Sequence, residues 1–118
     1  MTPDQSRAFA AAWIDAWNAR DLDRILSHYA DDVVFRSPRI ALVTGDESCV
    51  VRGRAQLAAY WGKALAMNAG LRFDLDRVYV SKDAVTLAYR NHRGESASET
   101  MLFDGHGLVR ESMAAYAV

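Results

Sequence analysis

The feature that most limits what this chain can become is a change of hydrophobic period at Leu71. Before it, apolar residues recur every three or four positions. Phe9, Trp13, Ala16 and Trp17 form one stripe, Leu22, Ile25, Leu26 and Tyr29 a second, and Leu57, Tyr60, Trp61, Ala64 and Leu65 a third. Such spacing matches one face of an α-helix. After Leu71 the period is two, in runs interrupted by Ser81-Lys82-Asp83, by His92-Arg93-Gly94-Glu95 and by Asp104-Gly105-His106-Gly107. Alternation bounded by turn residues marks half-buried strands joined as hairpins. Three helices followed by four hairpin-linked strands predict an α+β fold with an antiparallel sheet, because a parallel sheet needs crossovers between successive strands.

Local signals place the boundaries. Thr2-Pro3-Asp4-Gln5 reads as a capping box with proline at the first helical position. Asp21 caps a short second helix, and Asp31-Asp32 ends its pattern before the strand Val33-Val34-Phe35, which stops at Ser37-Pro38. Residues 39–49 read as a loop, followed by an extended piece at Val50-Val51. Gly53 opens the third helix, which is expected to end at Asn68-Ala69-Gly70 with a left-handed cap.

Composition narrows the functional classes. The 118 residues fit one domain spanning 1–118, which buries roughly two-thirds of the surface of its unfolded chain and so needs no staple. The formal charge is −1 and the arginines are scattered among carboxylates, which argues against a nucleic-acid partner. Cys49 is the single cysteine; it cannot form an internal disulfide, and Ser48 and Val50 beside it offer no base. Nothing resembles a leader peptide, and no run approaches the roughly 18 apolar residues needed to cross a bilayer. A cytoplasmic protein without a membrane partner is expected.

Larger patterns identify a family resemblance. The stretch Trp13 to Asp23, then His28-Tyr29-Ala30-Asp31-Asp32-Val33-Val34-Phe35 with Ser37-Pro38, resembles the opening of nuclear-transport-factor-2-like proteins. Arg52-Gly53-Arg54 before the third helix and Glu99-Thr100-Met101-Leu102-Phe103-Asp104-Gly105 continue the match, and the SnoaL-like branch, close to ketosteroid isomerase, is the most similar. The resemblance implies a cone in which helices close over a strongly curved sheet and enclose a pocket, with homodimers forming through the sheet. It also implies isomerases, cyclases, dehydratases or proteins without a reaction, and fold alone does not choose among them.

The resemblance to ketosteroid isomerase, which uses an aspartate base with a tyrosine and a protonated carboxyl as oxyanion donors, can be followed residue by residue. The base position falls on Ser37, which cannot abstract a carbon acid's proton unaided. The tyrosine position falls on Trp13, whose indole donates a hydrogen bond but exchanges no proton. The acid falls on Glu99. Independently, the period of two puts Glu99 on one face with Met101 and Phe103, and a buried carboxyl must be paired or take up a proton. Glu99 is therefore the candidate acid/base, against the alternative of an ion pair with Arg90 or Arg110.

The pocket wall is expected to include Trp13, Trp17, Tyr29, Ser37, Trp61, Tyr89, Met101 and Tyr116. Val85 and Leu87 share the face of Tyr89 and Asn91, which favours that face as the inner one over the face of Arg90 and His92. His28, His92 and His106 lack ligand spacing, so no metal is expected, and no glycine-rich phosphate loop suggests a cofactor. Asp31 and Asp32 are read as solvated or locally bonded. Two functions follow: a cofactor-free isomerase, cyclase or dehydratase acting on a small apolar ligand, or a non-catalytic binding or pairing module.

Overall fold

The structure, a computed structural model, describes residues 1–118. Helix α1 covers Pro3–Asn18. The expected capping box is formed: the Gln5 amide donates to Thr2 Oγ1 at 3.1 Å, and the Thr2 amide donates to Gln5 Oε1 at 2.9 Å. Helix α2, Leu22–Leu26, is capped by Asp21, and strand β1 follows at Tyr29–Arg36. A short helix α3 (Ile40–Thr44), strand β2 (Val50–Arg52) and helix α4 (Arg54–Met67) complete the first half. Strands β3 (Asp74–Val80), β4 (Ala84–Arg90), β5 (Ser96–Phe103) and β6 (Val109–Tyr116) form the second.

The six strands make one sheet in the order β2-β1-β6-β5-β4-β3. The four later strands pair as antiparallel neighbours, as alternation and turns imply. How the first strand joins them is not visible in the sequence: β1 lies parallel to β6 and antiparallel to β2. Register shifts interrupt β1–β6, β3–β4 and β5–β6, and bulges of this kind bend strands and curl a sheet. Helices pack on the inner face, and a core of 23 buried residues joins all three helical stripes to Val85, Leu87, Tyr89, Ala97, Met101, Val109 and Ala114.

Three boundaries differ from the sequence reading. Strand β1 starts at Tyr29, four residues before Val33, because Asp31 and Asp32 sit exposed at its irregularity and break the alternation. Tyr29 thus belongs to the sheet and not to the second helix stripe. The expected loop at 39–49 contains α3, which is too short to display periodicity; it seats Ile40 in the core and ends at Gly45 with φ 79°. Helix α4 has no left-handed cap, since Asn68 has φ −125°. Its last carbonyls are met instead by side chains: Arg20 donates to the Leu65 and Asn68 carbonyls, and Asn68 Nδ2 to the Ala64 carbonyl. At the other end, Gly53 with φ 85° turns the chain from β2 into α4 while its amide donates to the Val33 carbonyl at 2.7 Å. A side chain at that φ would be strained.

Candidate functional site

Four turns of α1 hold Trp13 and Trp17 on its inner face. Trp13 stacks on Phe73 at 5.7 Å between ring centres, Trp17 meets Trp61 edge-on at 5.0 Å, and Phe73 lies 4.5 Å from Tyr89. These rings, with Phe35 from β1 and Tyr60 from α4, wall a cavity of about 410 Å³ that opens between α3, the end of α4 and the β4–β5 turn. That volume lies in the range of small-molecule sites.

Glu99 stands in this wall at the middle of the sheet. It is paired across β5 with Leu87 on β4 and Ala114 on β6, and is 3% exposed. No arginine reaches it: Arg90 is exposed on the other face and Arg110 pairs with its neighbour Glu111. Its single side-chain partner is Ser112, whose hydroxyl donates to Oε2. Burial raises the carboxyl from 4.5 to about 7, against the opposing pull of the Ser112 hydrogen bond. Desolvation without a cation is the sufficient cause.

Two separate sets of hydrogen bonds lie behind the cavity wall. The Trp13 indole can only donate, and it gives its proton to Tyr29 Oη at 2.9 Å. The Tyr29 hydroxyl donates to Met101 Sδ at 3.7 Å. Ser112, nearby, donates to Glu99. Burial, then the nearby Glu99 charge, raises the Tyr29 phenol, so it remains a donor and is not itself ionised. Glu99 Oε1 has no hydrogen-bond partner in the chain, and Glu99 lines the cavity.

Also in the wall, the buried Ser37 hydroxyl lies close to the phenols of Tyr60 and Tyr116. Burial pushes Tyr60 up to about 12. The Arg39 guanidinium lies 3.8 Å over the Tyr116 ring and donates to Glu95 at 2.8 Å. Asn91, His92 and Arg93 of the β4–β5 turn complete the rim, where Arg93 donates to Asn68 Oδ1 at 2.8 Å.

Of the residues expected in the wall, Trp13, Trp17, Ser37, Trp61, Tyr89, Glu99 and Tyr116 line the cavity. Tyr29 and Met101 do not. Both are fully buried behind it, because β1 starts at Tyr29 and directs the ring into the core, where its hydroxyl is spent on Trp13 and Met101. Ser112 was missed, although it shares the period-two face of Ala114 on β6, and a buried carboxyl on the adjacent strand requires a polar partner there. Arg39 and Arg93 were also missed, since rim residues come from turns that carry no periodic signal.

Other candidates lie elsewhere. Asp31 pairs at 2.5 Å with Arg54 on the surface, and His28 packs edge-on to Phe9 in the turn after α2. His106 sits in the turn whose Asp104 carboxylate accepts from the His106 and Leu108 amides. Trp17 Nε1 is buried without a hydrogen-bond partner. No helix is long and apolar enough to cross a membrane.

Helices closed over a curled sheet, with an internal cavity walled from both, define the cone of nuclear-transport-factor-2-like proteins. The profile of the SnoaL-like domain matches residues 10–114. A SnoaL-like protein of unknown function from Burkholderia thailandensis is 40% identical, over 100% of this chain and 99% of that one, with a TM-score of 0.93. The chain therefore belongs to the SnoaL-like family. More distant structures share the fold. A protein of unknown function with a cystatin-like fold from Methylobium petroleophilum is 18% identical, over 100% of this chain and 79% of that one, with a TM-score of 0.76. TerC, co-crystallised with polyporic acid, is 16% identical, over 92% and 88% respectively, with a TM-score of 0.75. No curated protein matches the chain.

Proposed function

We propose that the chain binds a small, largely apolar molecule in this cavity and moves a proton on it with Glu99 as general acid/base, in an isomerase-, cyclase- or dehydratase-type reaction without a cofactor. The observation that carries this reading is the position of Glu99 as the only carboxylate in an aromatic wall, raised to about 7 by burial. A group that titrates near neutrality can both take and return a proton. Because Ser112 donates to Oε2, the exchangeable proton resides on Oε1, the oxygen without a partner in the chain. Ser37, a hydroxyl where that arrangement has its base, and Trp13, already committed to Tyr29, argue against the ketosteroid isomerase arrangement of base and oxyanion donors. That TerC was crystallised with polyporic acid is consistent with a cone of this kind accepting an organic ligand.

Native mass spectrometry of the purified protein, to identify a retained compound, followed by turnover of that compound by the wild type and by Glu99→Gln, tests the reading. The variant is expected to bind and not to convert. Equal turnover removes Glu99 from the mechanism, and binding without conversion by the wild type leaves a non-catalytic binding protein.

The outer face of the sheet supports pairing of two chains. Tyr79, Thr86, Thr100 and Met113 are direct neighbours across β3, β4, β5 and β6, with Tyr79 and Met113 about half exposed. The adjacent row on the same face, Arg77, Ala88, Ser98 and Ala115, is made mostly of small residues, which leaves room for a second sheet. A homodimer through this face is expected by analytical ultracentrifugation, converted to monomer by Met113→Lys; a monomer at all micromolar concentrations counts against it.

A further inference from the structure

The mouth of the cavity carries a charge pattern that proton transfer does not use. Arg39, His92 and Arg93 line it, while the one carboxylate of the wall, Glu99, lies buried at mid-sheet. Glu95 pairs with Arg39. Arg93 has no ion pair within 4.0 Å; its side chain donates to Asn68 Oδ1 alone, and Glu95 senses it only weakly, after Arg39 and Asn91. A guanidinium presents five N–H groups in a planar fork that matches an oxyanion, so both arginines retain donors at the opening. The deep end has the opposite character, since an anion there would meet aromatic rings, no cation, and a carboxyl that it would oppose electrostatically.

We propose that the ligand is an amphipathic anion, with an apolar, ring-sized body directed toward Glu99 and an anionic oxygen-bearing group held at the mouth by Arg93 and Arg39. The inference rests on the reading of the cavity as a ligand site and adds to it the class and orientation of the ligand. Arg93 and Arg39 act as binding residues for the anionic group and take no part in proton transfer. The polarity of the cavity fixes which end of the ligand meets Glu99, so the reacting carbon lies in the apolar body, away from the charged group.

Two dyes that share one ring system separate these elements: 8-anilino-1-naphthalenesulfonate carries a sulfonate, and N-phenyl-1-naphthylamine does not. All three tryptophans line the cavity, so energy transfer from them to the dye reports occupancy. At low salt the sulfonate dye is expected to bind about tenfold more tightly than the neutral one, and half-molar salt is expected to erase most of that difference. Arg93→Gln, at an exposed residue whose one side-chain hydrogen bond is to Asn68, is expected to remove most of the difference and leave the neutral dye unchanged. Arg90→Gln, on the opposite face of β4, is expected to change neither. Equal affinities in the wild type, or equal losses from the Arg93 and Arg90 substitutions, overturn the anionic class while leaving the cavity as a ligand site. Failure of both dyes to bind overturns the ligand-site reading together with this inference.

Discussion

Glu95 and Glu99 stand four residues apart, one just before β5 and the other at its middle, and their carboxyls are shifted in opposite directions. Glu95 is exposed; its oxygens accept from Arg39 at 2.8 Å and Asn91 at 2.9 Å, and these hydrogen bonds hold it below its usual value. Glu99 is buried with a single neutral donor and is raised to about 7. Hydrogen bonds pull both carboxyls down, and at Glu95 one donor is a charged guanidinium. At Glu99 solvent is excluded and no cation replaces it, so desolvation outweighs one hydroxyl. Within five residues the chain therefore carries an exposed carboxylate paired with Arg39 and a buried carboxyl in the cavity wall.

The largest expected effect is on stability as a function of pH. The folded value for Glu99 lies above the unfolded one, so the native state binds the extra proton between about 4.5 and 7. Stability is then greatest below that window and falls as pH rises through it. The shift corresponds to roughly 3 kcal/mol. Urea unfolding at pH 5 and pH 8 is expected to show this loss in the wild type and little of it in Glu99→Gln, which carries no titrating proton. Parallel pH profiles for the two proteins would break the contrast between the two glutamates at its root.

Ser112→Ala sharpens the same contrast. Without the donor to Oε2, burial acts on Glu99 unopposed and its value rises further. At pH 8 the ionised form loses its one partner, for an expected cost of about 1–2 kcal/mol. At pH 5, where the carboxyl is protonated in both proteins, the cost should be smaller. A penalty that is the same at both pH values would assign Ser112 to packing and not to the carboxylate.

How much of this was legible in the sequence depends on what each part of the fold needs from its neighbours. The helices and the four later strands are written in local periodicity and caps. Glu99 and Tyr89 could be placed on the inner face because Val85, Leu87 and Met101 share that face across β4 and β5. The parallel pairing of β1 with β6 depends on residues more than 70 positions apart, and no turn chemistry specifies it. Tyr29 reads as the end of the second helix stripe because two exposed aspartates interrupt its strand. Ser112 required knowing which residue of β6 lies beside Glu99. The rim is illegible for a related reason: Arg39 and Arg93 come from segments without a period, and only the fold brings both to the cavity.

The smallest effect is expected at Glu95, and it tests whether exposure is what separates the two residues. Its lowered value means that its pairing favours the folded state above the unfolded carboxylate range and that this contribution is lost as pH falls through the folded value. The pair is solvent-exposed, with 28% of the Arg39 side chain and 42% of the Glu95 side chain accessible, and ion pairs in water gain little from charge that solvent and salt already screen. Glu95→Gln keeps an acceptor for Asn91 and removes only the charge, so its melting temperature at pH 7 should match that of the wild type within measurement error. Salt should change neither protein. A Glu95→Gln variant destabilised as strongly as Ser112→Ala would mean that the Arg39–Glu95 contact, stacked on Tyr116, anchors the mouth structurally. The opposite shifts of the two glutamates would then not imply different roles in holding the cone together.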